Sequence, residues 1–166
     1  MKQSVKEWLE AIVCAVVLFL VLFLFCFPTQ IQGPSMADTL HNGDRVMISR
    51  FLAKTGRIDR EDIVVFHTSA RGKQEDFVKR VIGLPGDHVV VEDGQVSVNG
   101  EPLSEAYANG ETYGSVDLTV PEKTIFVMGD NREVSMDSRE IGVVPMGTIQ
   151  SVVLFRWYPL NQIKRL

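Results

Sequence analysis

The sequence predicts a mainly β protein in which one N-terminal transmembrane helix precedes a barrel- or sandwich-like β domain with a small inserted subdomain. Three observations predict it. An uncharged apolar run stands near the N-terminus, seven short segments rich in β-branched and aromatic residues follow, and turn residues bound each of them. The 166 residues amount to about one domain.

The apolar run at 11–27, "AIVCAVVLFLVLFLFCF", has no charged or polar side chain. As a helix it rises ~26 Å at about 1.5 Å per residue, close to the ~30 Å hydrocarbon core. Leu9 and Trp8 extend it, and Trp8 suits an interface position. Lys2 and Lys6 resemble the basic start of a cleaved leader, but the run ends in Phe27-Pro28-Thr29-Gln30 without a small-x-small cleavage site. An uncleaved anchor is therefore expected. The two lysines orient it with the N-terminus inside, because Glu7 and Glu10 count little in the positive-inside rule. Residues 1–27 then form the cytoplasmic N-terminus and anchor in the cell membrane, and 28–166 an extracytoplasmic domain large enough to bury a core.

The net charge of −4 belongs to that outer domain, and this mild acidity argues against a nucleic-acid partner. Both cysteines, Cys14 and Cys26, lie in the apolar run, so the outer domain must hold itself together by packing. His41, His67 and His88 stand singly, with no metal-ligand spacing. No metal or cofactor is expected.

The strands read in order as "DRVMIS" (44–49), "DIVVFHT" (62–68), "DFVKRVIG" (76–83), "DHVVVE" (87–92), "QVSVNG" (95–100), "KTIFVMG" (123–129) and "TIQSVVLFRWY" (148–158). Asp93-Gly94 is a two-residue hairpin signal, and Asn99-Gly100 a second turn. The piece 101–120, "EPLSEAYANGETYGSVDLTV", is more polar and less periodic. It reads as the irregular part of a smaller inserted subdomain at about 88–122. Outside the apolar run no helical period persists for three turns.

Chemistry centres on "IQGPSMADTLHNGD" (31–44), where Ser35 follows a Gly-Pro pair eight residues beyond Phe27. A serine hydroxyl attacks poorly until a base takes its proton. A histidine base is not excluded by spacing, although none of the three sits in a recognisable motif. The other base is a neutral lysine. In "DFVKRVIGLPGD", Phe77, Lys79 and Val81 share one strand face, and Val78, Arg80 and Ile82 the other. Both faces are mainly apolar, so each carries one cation. Arginine stays charged and must find a partner, whereas lysine can lose its proton on burial. Lowering a lysine from about 10.4 to about 8 takes roughly 3 kcal/mol of differential solvation. Alone, Lys79 would read as a paired or snorkelling strand lysine.

Several segments change that reading together. "GPSMADTLHNGDRV" (33–46), "EDIVVF" (61–66), "FVKRVIGLPGD" (77–87) and "MGDNREVSMDSREIGVVP" (128–145) occur in this order behind the N-terminal run. Together they resemble the type I signal peptidases, membrane enzymes that cut leader peptides from secreted preproteins. The short region between the lysine motif and "MGDNR" is similar to compact Gram-positive members. The resemblance implies a serine endopeptidase with a Ser-Lys dyad, Ser35 as nucleophile and Lys79 as general base, and Ser135 orienting Lys79. It implies a supporting loop of Gly129, Asp130, Asn131, Arg132, Asp137 and Arg139, whose four charges read as two close pairs of opposite sign. It also implies cleavage after an Ala-x-Ala-like motif in preprotein signal peptides at the membrane surface, so the lipid bilayer and preproteins are the expected partners. By motif position, Ile31, Met36, Leu40, Val46, Phe77 and Val78 are candidates for the shallow −1 and −3 pockets, with core packing an equal alternative for Val46 and Val78.

Two positions depart from the pattern. Some members use a serine hydroxyl two residues before the nucleophile as an oxyanion donor; here Gly33 stands there, and Pro34 has no N–H. The Ser35 backbone N–H remains as donor. Asp38 replaces the usual proline of "SM-x-P-T-L", either as an exposed turn carboxylate or as a charge near Lys79. "LFRWYPL" reads as a buried strand, with Trp157 and Tyr158 also able to touch lipid. Two other functions stay open: a related Ser-Lys protease acting on itself or one dedicated partner, and a catalytically silent membrane-tethered binding domain.

Overall fold

The computed structural model describes residues 2–37, 39–70 and 72–166. Helix α1, Lys2–Phe25, covers most of the apolar run, and strand β1, Cys26–Gln30, takes the rest. The expected boundary after residue 27 therefore falls inside a strand. Pairing decides this: Cys26 lies opposite Ser49 and Phe27 opposite Ile48 in β2, Arg45–Ser49. Pro28 is tolerated because β1 ends the sheet and needs no ladder donor on its outer side. Large apolar side chains of α1 from Val5 to Phe19 are exposed. Among the described residues no helix is long and apolar enough to cross a membrane.

Helix α2, Arg50–Thr55, follows β2 directly, with Ser49 Oγ accepting from Leu52 N–H at its start and Gly56 left-handed at its end. At six residues it is too short for a period to show in the sequence. Strands β3 (Ile63–Ala70), β4 (Lys73–Gly83), β5 (His88–Glu92), β6 (Gln95–Val98), β7 (Glu101–Pro102), β8 (Val116–Thr119) and β9 (Thr124–Met128) come next. Helix α3 (Ser138–Ile141), β10 (Val144–Pro145), β11 (Ile149–Tyr158) and β12 (Lys164–Arg165) complete the chain. All seven expected strand segments are strands. Asp93 and Gly94, both at positive φ, close the β5–β6 hairpin, and Asn99 and Gly100 turn the chain into β7.

Two antiparallel sheets result. The larger runs β1-β2-β11-β3-β4-β9-β10 with β12 on β11, and the smaller runs β7-β6-β5-β8. The larger sheet ends at β1 and β10, so it does not close into a barrel. Its two faces carry separate apolar clusters. Val64, Phe66, Val81, Val127 and Val152 pack on one side, and Ile31, Met36, Leu40, Val46 and Val153 on the other. Cover on both faces explains why "IVVF" reads as a continuous apolar run rather than an alternating one. The smaller sheet joins the larger where Val89, Val91, Val96 and Val98 meet Ile82, Phe126 and Met128.

Gly83 sits at that junction. A Cβ there would lie 2.6 Å from Val89 Cγ2 and 3.3 Å from Phe126 Cβ. Both neighbours are fully buried, so neither can move without disturbing the core. Gly83→Ala is expected to destabilise the fold by about 1–3 kcal/mol, read as a lower denaturant midpoint with an unchanged slope.

Candidate functional site

The turn carrying Ser35 is held from below by its own apolar residues. Ile31, Met36 and Leu40 are buried on either side of the serine. Ile31 N–H donates to Asp44 O at 2.8 Å, Gly43 N–H to Ile31 O at 3.0 Å, and Leu40 N–H to Met36 O at 2.7 Å. Arg156 ties the far end, donating to Thr39 O at 3.1 Å and to Asp44 Oδ2 at 2.8 Å. Gly33 has φ +90, a conformation that strains any L side chain. That backbone angle accounts for the missing side-chain donor at position 33. The Gly33 N–H is itself taken by Asn42 Oδ1 at 3.2 Å.

Lys79 reaches the site from β4. It is 3% exposed, and its Nζ lies 5.2 Å from the centre of the Phe77 ring. Burial pushes its pKa down to about 8; the charge of Asp137 opposes that shift, Arg139 reinforces it, and Asp130 opposes it. Arg80, the next residue, is buried toward the opposite side. It donates to Asp130 through Nε (2.9 Å) and Nη2 (2.6 Å), to Glu61 O at 2.8 Å, and stacks over Tyr107. These two adjacent cations thus differ: arginine stays charged and paired, whereas burial lets the lysine give up its proton near pH 8.

The loop after β9 joins these pieces. Asn131 N–H donates to Ser35 O at 3.1 Å, and Asn131 Nδ2 to Pro34 O at 3.3 Å. Asp137, fully buried, accepts from Gly129 N–H at 2.9 Å and from both Nε and Nη2 of Arg139. Burial alone would raise the Asp137 carboxyl, but these donors hold it below the usual carboxylate range. Ser135 is buried, and its hydroxyl faces the Asp137 carboxylate, which it helps to hold in the charged form. Gly129 is packed so closely that a Cβ would overlap Ser135 Oγ and come within 2.5 Å of Ser135 Cβ and 2.6 Å of Ser35 O.

The charge pairing differs from the sequence expectation. Asp137 pairs with Arg139, but Asp130 takes Arg80, and Arg132 turns away to Glu105 (2.5 and 3.0 Å) and Thr112 (3.0 Å). Arg80 meets both oxygens of Asp130, and Arg132 makes the same two-pronged contact with Glu105. Arg80, Glu105 and Thr112 were missed as site residues. Glu105 and Thr112 belong to the polar piece 101–120, which bridges to the loop through Asn109 N–H to Asp130 O and Arg132 N–H to Asn109 O, both 2.8 Å.

Ser35 and Lys79 line one cleft of about 530 Å³, together with Gly33, Phe77, Val78 and Met136. A second cleft of about 360 Å³ adjoins it and shares Gln32, Asp76 and Val78. Of the six expected pocket residues, Phe77 and Val78 line the first cleft, and Ile31 and Val78 the second. Met36, Leu40 and Val46 line neither; they are core residues, at most 1% exposed. No histidine lines either cleft: His67 pairs with Asp76 at 2.8 Å and His88 with Asp117 at 2.7 Å. Among the described residues no three His, Cys, Asp or Glu side chains converge on a metal position. Asp38 lies outside the described residues. Trp157 is part-buried with its Nε1 enclosed, and the Arg45 guanidinium lies 5.8 Å from its ring centre and 5.3 Å from that of Tyr158.

The family described as signal peptidase, peptidase S26, matches residues 5–158. The chain is 40% identical to signal peptidase I S of Bacillus subtilis (strain 168) over 178 residues, covering 99% of this chain and 95% of the relative. It is 39% identical to signal peptidase I of Bacillus licheniformis, covering 99% and 94%. Signal peptidase IB of Staphylococcus aureus (strain COL) is 37% identical, covering 99% and 95%. A crystal structure of a signal peptidase I from Enterococcus faecalis V583 superposes with a TM-score of 0.50 at 34% identity, covering 57% of this chain and 95% of that one.

Two substitutions test this geometry. Below pH 8 a buried, protonated Lys79 burdens the fold. Between about 8 and 10.5 the unfolded chain holds a proton that the folded one has released, so stability rises with pH there. Lys79→Met is expected to be more stable at pH 7 by up to about 3 kcal/mol, and denaturant unfolding at pH 7, 9 and 10.5 should show the advantage vanishing. Gly129→Ala forces apart the Ser135 and Ser35 segments and is expected to cost about 1–3 kcal/mol, read as a lower melting temperature.

Proposed function

The chain belongs to the signal peptidase family, peptidase S26, and on that footing we propose that it is a membrane-bound serine endopeptidase removing N-terminal signal peptides from exported preproteins. One observation carries the reading of its site. A lysine 3% exposed, with its pKa pushed down to about 8, lines the same cleft as a serine on a rigid turn.

In the proposed reaction neutral Lys79 takes the Ser35 hydroxyl proton as Oγ attacks the scissile carbonyl. The Ser35 N–H is aimed at the oxyanion of the tetrahedral intermediate. The C–N bond breaks as protonated Lys79 returns the proton to the leaving amine, giving an acyl ester on Ser35. Lys79 then deprotonates water, whose attack releases the carboxylate and restores the serine. Ser135 acts on Lys79 as a positioning residue.

Substrate enters in extended form. From residue 73 to 79, β4 pairs with β3 on one side, while its pairing with β9 begins only at Arg80. The open edge can therefore accept a peptide strand. Alternate side chains of that strand would enter the two clefts, the −1 residue beside Ser35 and the −3 residue beyond Val78. Phe77 and Val78 keep the first cleft shallow, which suits an Ala-x-Ala-like motif.

The same reading makes α1 a single-pass anchor, N-terminus inside. The uncharged 11–27 run, the exposed apolar side chains from Val5 to Phe19, and a helix of 24 residues, ~36 Å long, support it. It would hold the clefts where a membrane-inserted leader emerges.

Purified full-length chain incubated with a preprotein bearing an Ala-x-Ala site should release the mature protein, and Ser35→Ala and Lys79→Ala should not. Cleavage surviving in either variant refutes the dyad; no cleavage by wild type refutes the enzyme. Because the base must be neutral, kcat/KM should climb about tenfold per pH unit below a midpoint near 8 and level off above it. A midpoint near 6.5 would instead point to a histidine.

A further inference from the structure

Arg156 is a buried cation that the proposed reaction leaves without a part. Its guanidinium, 7% exposed, donates through Nη1 to Thr39 O at 3.1 Å and to Asp44 Oδ2 at 2.8 Å, and through Nε to Gln162 O at 3.0 Å. Asp44 is buried as well, and a buried ion pair contributes little net stability, because desolvation offsets most of the attraction. What such a pair does supply is a fixed geometry, and the object fixed here is the turn of Ser35.

Strand β11 is deformed to bring this side chain there. Val153 lies opposite Ile48 of β2 and Arg156 opposite Val46, so β11 advances three residues where β2 advances two. In a regular strand, residues three apart point to opposite faces. The extra residue is a bulge, and it returns Arg156 to the face shared by Val153 and Val46. That face carries Ile31, Met36 and Leu40, the buried residues of the Ser35 turn. Bulges of this kind occur next to active sites, where they re-aim a side chain.

The contacts close on the turn from its C-terminal flank. Asp44 Oδ2 also accepts from His41 N–H at 2.9 Å, and Asp44 O accepts from Ile31 N–H at 2.8 Å. Ser35 thus sits inside a loop, 31–44, whose two ends meet at Asp44. Thr39 lies four residues past Ser35, and Leu40 N–H, which follows it, donates to Met36 O at 2.7 Å. The restraint therefore reaches the residue next to Ser35. On the other flank Asn131 holds Ser35 O at 3.1 Å and Pro34 O at 3.3 Å.

We propose that Arg156 is a positioning residue for the peptidase reaction, setting the Ser35 hydroxyl for attack by holding the C-terminal flank of its turn through Thr39 O and Asp44. The inference rests on the functional reading above and adds to it a residue from β11, outside the motifs that carry the dyad. Because Nε grips Gln162 O, the segment after β11 shares the same anchor.

The test uses full-length chain in detergent micelles, a preprotein bearing an Ala-x-Ala site, and constants expressed per folded molecule, the folded fraction being read from thermal denaturation at the assay temperature. Arg156→Gln should lower kcat about tenfold or more, since misplacing reacting atoms by ~1 Å costs on the order of a hundredfold. KM should stay close to wild type, because the β4 edge that binds the peptide is untouched. The pH midpoint near 8 should also stay, because Arg156 is not among the charges that act on Lys79. A purely stabilising role would lower the folded fraction and leave these per-molecule constants alone. An unchanged kcat, a loss that lies in KM alone, or a shifted midpoint overturns this inference and leaves the peptidase reading intact. No cleavage by wild type overturns both. Should Arg156→Gln not accumulate, Asp44→Asn, which keeps the shape and the acceptor for His41 N–H, carries the same test: a lower kcat at unchanged KM upholds the proposal, and an unchanged kcat overturns it.

Discussion

A buried lysine whose charge is costly governs how the rest of this domain is built. Burial pushes Lys79 down to about 8, yet Asp137 and Asp130 lie close enough to pull it back up. Left bare, two buried carboxylates would re-protonate the lysine. The fold answers by giving each carboxylate its own guanidinium. Arg139 holds Asp137 through Nε and Nη2, and Arg80 holds Asp130 the same way. Buried ion pairs contribute little net stability, because desolvation offsets most of their attraction. Their consequence here is electrostatic: Arg139 offsets the pull of Asp137 and keeps the Lys79 pKa low.

Those pairs also tie sequence-distant elements into one unit. Arg80 comes from β4, Asp130 from the loop after β9, and Asn109 from the polar piece before β8. The next arginine, Arg132, is held by Glu105 and Thr112 of that same piece. An excursion that looks like decoration on the main sheet thus braces the loop carrying Gly129, Ser135 and Asp137. Gly129 is where the brace meets the Ser35 turn, with no room for a single methyl group between Ser135 and Ser35 O.

Much of this was legible in the sequence, for physical reasons that can be named. The strands were legible because β-branched runs between turn residues leave few other options, and both two-residue turns fell where Asp-Gly and Asn-Gly tolerate positive φ. That Ser35 and Lys79 would line one cleft was legible only through long motifs, since a lone serine and a lone strand lysine each have blander explanations. What stayed hidden depends on three-dimensional competition. Asp130 stands two residues from Arg132, and nothing local says that Arg80, fifty residues earlier, will reach it first. Met36, Leu40 and Val46 carry the same apolar signal whether they line a pocket or a core, and burial made them core. Helix α2 and strand β1 were missed because one is less than two turns long and the other begins inside an apolar run that reads as helix.

The Ser35 N–H, the donor of the proposed oxyanion hole, is fixed in direction through its own peptide unit. The Ser35 N–H and the Pro34 C=O belong to one planar peptide unit, so fixing the carbonyl fixes the direction of the N–H. Pro34 O is held twice, by Ala37 N–H at 3.2 Å and by Asn131 Nδ2 at 3.3 Å. Pro34 also locks its own φ, and Gly33 supplies the positive φ that swings the chain into this plane. The following carbonyl, Ser35 O, is held by Asn131 N–H. Asn131 therefore grips both peptide units that flank the Ser35 α-carbon. A donor that needs no reorganisation as charge develops is worth more than one that must turn toward it. Position 33 carries no hydroxyl in this chain, and what holds the Ser35 peptide units in place is the same loop that sets Asp137 near Lys79.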